Sequence, residues 1–239
     1  MSNIKNNAAA QETRRKLMDA AGEVFAESGL HAATIKQITE RAGVNIAAVN
    51  YHFSDKFELY ALVVRSLQAS MLMPPPPATA ATTPEARFHG FIDQFMRRLM
   101  DRSRPAWHRL LFARELAQPT AALDTLVAEI ARPVTDRLAG ILRDLLGKDV
   151  SDRQVNLSAF SILGLCLSYL NHGAIITRLG HAMPQDELEP LIQHITAFSL
   201  HGVKSLARLA PTPRPRRAAS GQSRSELRTR RTSRQVAGR

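Results

Sequence analysis

The chain has 239 residues, a single cysteine at Cys166 and a formal net charge of +11. That length can bury a core without covalent staples and holds one large or two modest domains. One cysteine excludes an internal disulfide framework, and no Cys/His cluster has the spacing of a metal site.

The charge is unevenly placed. Residues 1–60 carry seven Lys/Arg and seven Asp/Glu, residues 61–209 sixteen and thirteen, and residues 210–239 nine Arg against Glu226 alone. Bulk charge therefore marks a cationic tail, and any claim of specific DNA binding has to rest on motif geometry.

Residues 1–12 form a flexible N-terminal arm in this reading. With the residues just after it, the arm lacks the apolar run of a signal peptide, so a cytoplasmic setting is expected. The first helical pattern begins at Thr13, with Leu17, Ala20, Ala21, Val24 and Phe25 at helical spacing and Gly29 placed as a left-handed cap. Thr34 caps a second helix, which turns Ile35, Ile38 and Ala42 one way and Lys36, Gln37 and Glu40 the other; Gly43 ends it. After only Gly43, Val44 and Asn45 a short third helix runs through Ala47, Ala48, Val49 and Asn50, the tight connection of a helix-turn-helix. Ser54 or Asp55 caps a fourth helix, with Phe57, Tyr60, Val63, Val64 and Leu67 on its inner side.

The stretch MPPPPATAATTPEA, residues 73–86, breaks helical periodicity and reads as a loop. Phe88, Phe91, Ile92, Phe95 and Leu99 then mark an amphipathic helix, and Trp107, Leu110, Leu111 and Ala113 another. Residues 121–146 continue the helical pattern, with Pro133 expected to kink or split it. Residues 152–179 and 186–209 complete the set. No segment alternates with period two, so an all-α fold is expected. Gln154 to Thr177 contains no charged side chain, but Asn156, Ser158, Ser161, Ser168, Asn171 and His172 are spread around it, which argues for a doubly buried helix and against a membrane span. The tail 210–239, rich in Pro, Ser and Arg, has too little apolar surface to offset its ordering entropy and reads as disordered.

The third helix carries the chemistry. Its Asn, Ala and Ile side chains suit the major groove, where an asparagine amide pairs with adenine and aliphatic groups meet thymine methyls. Tyr51, His52 and Lys56 then fall near the sugar-phosphate backbone, as does Thr34 at a helix N-terminus. Taken alone, Phe53 reads as core, Tyr51 as core or contact, and Lys36 and Lys56 as solvated charges; their shared register with the turn is what raises them to contacts.

Thr13 to about Leu62 resembles the N-terminal domain of TetR-family transcriptional regulators. Thr34-Ile35-Lys36-Gln37-Ile38, Ala42-Gly43-Val44, Tyr51-His52-Phe53 and Lys56 fall at that family's spacing. Ala48-Val49-Asn50 stands where many members carry Thr-Leu-Tyr. The run from Val44 to Phe53 resembles the CecR-like subgroup, as do Arg114-Glu115-Leu116-Ala117 with Pro119 and Arg132-Pro133.

The resemblance implies a helix-turn-helix DNA-binding domain over residues 13–60 and a larger helical effector-binding and dimerisation domain over 61–209. The expected DNA contacts are Thr34, Lys36, Asn45, Ile46, Ala47, Ala48, Asn50, Tyr51, His52 and Lys56. The expected effector residues are Trp107, His108, Phe112, Arg114, Phe160, Cys166, Tyr169, Asn171 and His172. Small residues in the apolar helix, Ser158, Ser161, Gly164 and Ser168 with Leu165, are the expected homodimer contacts.

The expected partners are a palindromic double-stranded DNA operator, a second copy of the chain and a small-molecule effector that releases a repressor, with no cofactor, metal or membrane. The alternative is a nonspecific nucleic-acid binder driven by the tail. No GxSxG elbow, P-loop, HExxH or paired-cysteine motif supports an enzyme.

Overall fold

In a computed structural model of the protein the described residues are 2–71, 83–147, 149–171, 173–180 and 188–209. The loop residues 73–82, His172, the side chain of Asn171 and the tail 210–239 lie outside them. Among the described residues every regular element is helical, as the periodicity predicts.

Helix α1 spans Ser2–Ala32, α2 Ile35–Ala42, α3 Ala47–His52 and α4 Lys56–Met71. α1 starts well before Thr13, so residues 2–12 are helical and not the expected arm. Its inner stripe of Leu17, Ala21, Val24 and Phe25 is buried. Gly29 interrupts it with φ 77° and ψ 168°, a positive φ that is extended in ψ and so differs from the expected left-handed cap. One more turn follows, closed by the Ala33 amide donating to the Gly29 carbonyl at 3.1 Å.

The caps of α2 are those the sequence implies. Thr34 Oγ1 accepts from the Gln37 amide at 3.2 Å while Gln37 Oε1 accepts from the Thr34 amide at 2.9 Å, a reciprocal pair that satisfies two orphan donors. Gly43, at φ 65° and ψ 36°, closes the other end. The α2–α3 connection is four residues, 43–46, one longer than predicted, because Ile46 still belongs to the turn. Asp55 is the cap of α4, its carboxylate accepting from the Glu58 amide at 2.8 Å. Leu59, Tyr60, Val63, Val64 and Leu67 face the core, whereas Phe57 is exposed, against expectation.

α5 spans Pro84–Leu99, α6 Ala106–Ala117, α7 Leu123–Leu126, α8 Arg132–Leu146, α9 Asp152–Asn171, α10 Gly173–Arg178 and α11 Leu188–Leu209. Thr83 caps α5, so the expected loop stops there and Pro84 to Ala86 form the first helical turn, where a missing proline N–H costs nothing. Residues Val127–Ala131 form a π-helical turn that leads directly into α8, with Pro133 in the first turn of that helix. Leu111 and Trp107 on α6 are buried, but Leu110 is exposed.

α1 packs on α2, α4 and α6, and α5 packs on α8 and α11. The buried side chains of α1 to α4 run without a break into those of α5 to α9. α4 itself runs unbroken across the expected domain boundary at residues 60/61.

Candidate nucleic-acid interface

The geometry of α3 follows from two buried anchors. Val49 and Phe53 are buried, with α3 packed on α1, which turns Asn45, Ile46, Ala47, Asn50 and Tyr51 to solvent and leaves Ala48 and His52 half-buried. Tyr51 is 79 % exposed and Ile46 55 %. Tyr51 stands edge-on to His52, with ring centroids 4.9 Å apart. The face presented is small, neutral and amide-bearing.

Several predicted contacts also hold the fold. Asn45 Oδ1 accepts from the Ala47 amide at 2.9 Å, so this side chain closes a local turn leading into α3 with its oxygen and keeps its NH2 for other partners. The Thr34 hydroxyl is occupied by Gln37, leaving the first backbone amides of α2 as the donors at that end. Lys36 is exposed, with Glu40 at 3.8 Å. Lys56 departs furthest from expectation: its ammonium donates to the His31 carbonyl at 3.2 Å and the Ala33 carbonyl at 2.9 Å, closing the corner between α1 and α2. Two of its three donors are thereby used inside the protein.

The part of α1 that ends before Gly29 is held by Arg114 on α6. Its Nε donates to the Ala26 carbonyl at 3.2 Å and its Nη2 to the Glu27 carbonyl at 2.9 Å. These are last-turn carbonyls of a helix, where a cation is favoured by both hydrogen bonding and the dipole. A β-carbon at Gly29 would stand 2.7 Å from Nη1 of the same arginine. The positive φ favours glycine there, and any side chain would also push the Arg114 guanidinium aside.

The other expected effector residues are scattered in role. Trp107 is buried over Gly22, and its indole N–H meets no acceptor among the described residues. His108 lies edge-on to it, and burial, then Arg104, pushes its pKa below the ordinary histidine value. Phe112 and Tyr169 are half-buried against the core. Cys166 is wholly buried, with its thiol pushed up to about 12 by burial, the behaviour of a small hydrophobe. Phe160 is 65 % exposed on the outer face of α9. Among the described residues, grooves of about 370 and 590 Å³ open on α11, and neither is lined by any of these residues.

Sequence reading missed Glu115 as a buried hub. Its side chain is fully buried and accepts from the Tyr60 hydroxyl at 2.5 Å, the Thr120 amide at 2.8 Å and the Thr120 hydroxyl at 2.9 Å. The charged pair Arg114-Glu115 was visible in the sequence, but their partners were not.

The expected dimer residues do gather. Ser158, Ser161, Leu165 and Ser168 line one groove of about 590 Å³ with Phe198, Ser199 and Leu206 of α11, and exposed Gly164 lies on the same helix. The hydroxyls of Ser158 and Ser199 are buried there without a hydrogen-bond partner among the described residues.

Among the described residues no helix is long and apolar enough to cross a membrane.

Comparison with known proteins places this arrangement. Residues 17–63 match the family described as bacterial regulatory proteins, tetR family, and residues 84–203 match the C-terminal domain of the HTH-type transcriptional dual regulator CecR. The chain is 24 % identical over 211 residues to the transcriptional dual regulator CecR of Shigella flexneri, covering 82 % of this chain and 93 % of that one. It is 45 % identical over 64 residues to the transcriptional regulator SrpR of Pseudomonas putida, a match that spans 27 % of this chain and only 30 % of the relative's length. The fold resembles that of HlyIIR, a hemolysin II transcriptional regulator, with a TM-score of 0.57 at 18 % identity, covering 79 % of this chain and 97 % of that structure.

Proposed function

The chain belongs to the TetR family of DNA-binding transcriptional regulators, and from that premise we propose that it acts as a dimeric repressor released from a palindromic operator by a small molecule. The observation that carries the DNA-binding half of this reading is the outward row on α3. Asn45, Ile46, Ala47, Asn50 and Tyr51 are exposed while Val49 and Phe53 anchor the helix from behind. Inserted in the major groove, Asn50 reads adenine through its amide, and Ile46 and Ala47 meet thymine methyls. Lys36 joins the base contacts, and Tyr51, His52, the third donor of Lys56 and the α2 N-terminal amides lie toward phosphates.

Support for the dimer comes from α9 and α11. Phe160 and Phe198 are each 65 % exposed and Leu157 is 54 % exposed, beside two buried serine hydroxyls that lack partners. A second copy packed on this face would cover the apolar surface and set the two α3 helices about one DNA turn apart, roughly 34 Å. The effector is assigned to the helical domain, where Trp107, His108, Phe112 and Arg114 share α6. Ligand binding acts by favouring one spacing of the two recognition helices over the other.

DNase footprinting upstream of the protein's own and neighbouring genes tests the reading. A protected palindromic site at moderate salt is expected. Equal retention of cognate and scrambled duplexes, abolished together by modest salt, would instead favour nonspecific binding through the arginine-rich tail.

A further inference from the structure

We propose that Arg14 is a further DNA-backbone contact, held in place by Phe53 at the end of the recognition helix. This rests on the reading of α3 as the groove-binding helix.

The position follows from helical spacing. Arg14 continues the buried stripe of Leu17 and Ala21 one turn toward the N-terminus, and side chains on a helix lean in that direction. The stripe outruns the core at that point, and Arg14 is exposed. Its guanidinium lies over the Phe53 ring, 5.5 Å from the centroid. Phe53 is buried at the C-terminal cap of α3, next to His52 and two residues from Tyr51. Arg14 is thus fixed to the same end of α3 that presents Tyr51.

Its neighbours on α1 behave differently. Arg15 is paired with Glu12 at 2.8 Å and Asp19 at 3.2 Å, and Lys16 lies 4.0 Å from Glu12. Among the described residues Arg14 pairs with no carboxylate. A guanidinium anchored over an aromatic ring by cation–π attraction still has N–H donors to offer, and their fork matches phosphate oxygens bidentately. The contact with Phe53 also limits the rotamers that have to be frozen on binding. Phosphate is the ligand class because the contact flanks the reading helix, where it adds affinity and register without reading sequence.

The test uses the full-length protein, a duplex carrying the footprinted operator and a scrambled duplex of the same composition, with Kd measured across a salt series. Arg14→Met keeps an unbranched stem over Phe53 and removes the charge; Arg14→Lys keeps the charge. For Arg14→Met the wild-type melting temperature is expected, with weaker binding to both duplexes and a slope of log Kd against log salt reduced by about 0.9 per protomer. Arg14→Lys is expected to retain the slope. If Arg14→Met binds both duplexes with wild-type affinity and slope, or if its loss of affinity follows only a lowered melting temperature, the inference is wrong. If the wild type itself shows no preference for any operator, it is the parent reading that fails, whereas the scrambled duplex still reports on Arg14.

Discussion

The hydroxyl of Tyr60 on α4 donates to the buried carboxyl group of Glu115 on α6 at 2.5 Å, across the expected boundary between the DNA-binding and effector domains. Thr120 completes the site with its amide and hydroxyl, so one side chain ties α4, α6 and the segment after α6 together. Arg114, the preceding residue, holds the end of α1. Two adjacent residues of α6 therefore grip both long helices that carry the helix-turn-helix.

Removing Glu115 leaves buried donors unsatisfied. Glu115→Ala is expected to destabilise the fold by about 2–4 kcal/mol, and Tyr60→Phe by about 1–2 kcal/mol. Urea unfolding measures both. Because the two residues share one bond, the double mutant is expected to cost less than the sum. Additive costs would show that the bond contributes little. The same site sets an alkaline limit. Burial first, then the hydrogen bond to Glu115, holds the Tyr60 hydroxyl protonated well above the ordinary phenol range. The folded pKa exceeds the unfolded one, so this contribution is present in full below the unfolded value of about 10 and is lost as the pH rises from there toward the folded value. Tyr60→Phe should show a shallower alkaline fall in melting temperature than the wild type.

Gly22 sits where α1 meets the Trp107 indole. A β-carbon there would approach three ring atoms at 2.5–2.6 Å. Alanine favours a helix over glycine by about 1 kcal/mol, but a rigid buried ring cannot yield without moving α6. Gly22→Ala is expected to lose about 1–3 kcal/mol net, read as a lowered melting temperature, with partial recovery when Trp107→Leu makes room. A stabilised Gly22→Ala protein would mean that α1 and α6 separate at little cost.

Asn50 and Lys56 are expected to separate by role. Asn50→Ala should leave stability unchanged and relax preference at one base pair, by about 1–3 kcal/mol if the amide reads adenine. Lys56→Ala should weaken all sequences alike and also lower stability by about 1 kcal/mol, since two carbonyls at the α1–α2 corner lose their donor. Binding isotherms on an operator and its single-site variants, with parallel thermal melts, distinguish the two. Identical profiles for both mutants would contradict the division of labour.

What the sequence alone determined was local. The helical repeat placed Leu17, Val24 and Phe25 inside, Thr34 and Gly43 bounded α2, and the cap of α4 was narrowed to Ser54 or Asp55, because caps and periodicity depend on residues within a turn or two of each other. The outward face of α3 was legible for the same reason. The tertiary structure decided what depends on elements meeting across the chain. It gave Lys56 to the carbonyls of His31 and Ala33, joined Glu115 to Tyr60 and Arg114 to Ala26, left Phe57 and Leu110 in solvent despite favourable spacing, and laid Arg14 over Phe53. Such partners are fixed by which helices approach and how closely, as at Gly22 and Gly29, and a one-dimensional pattern carries no record of that approach.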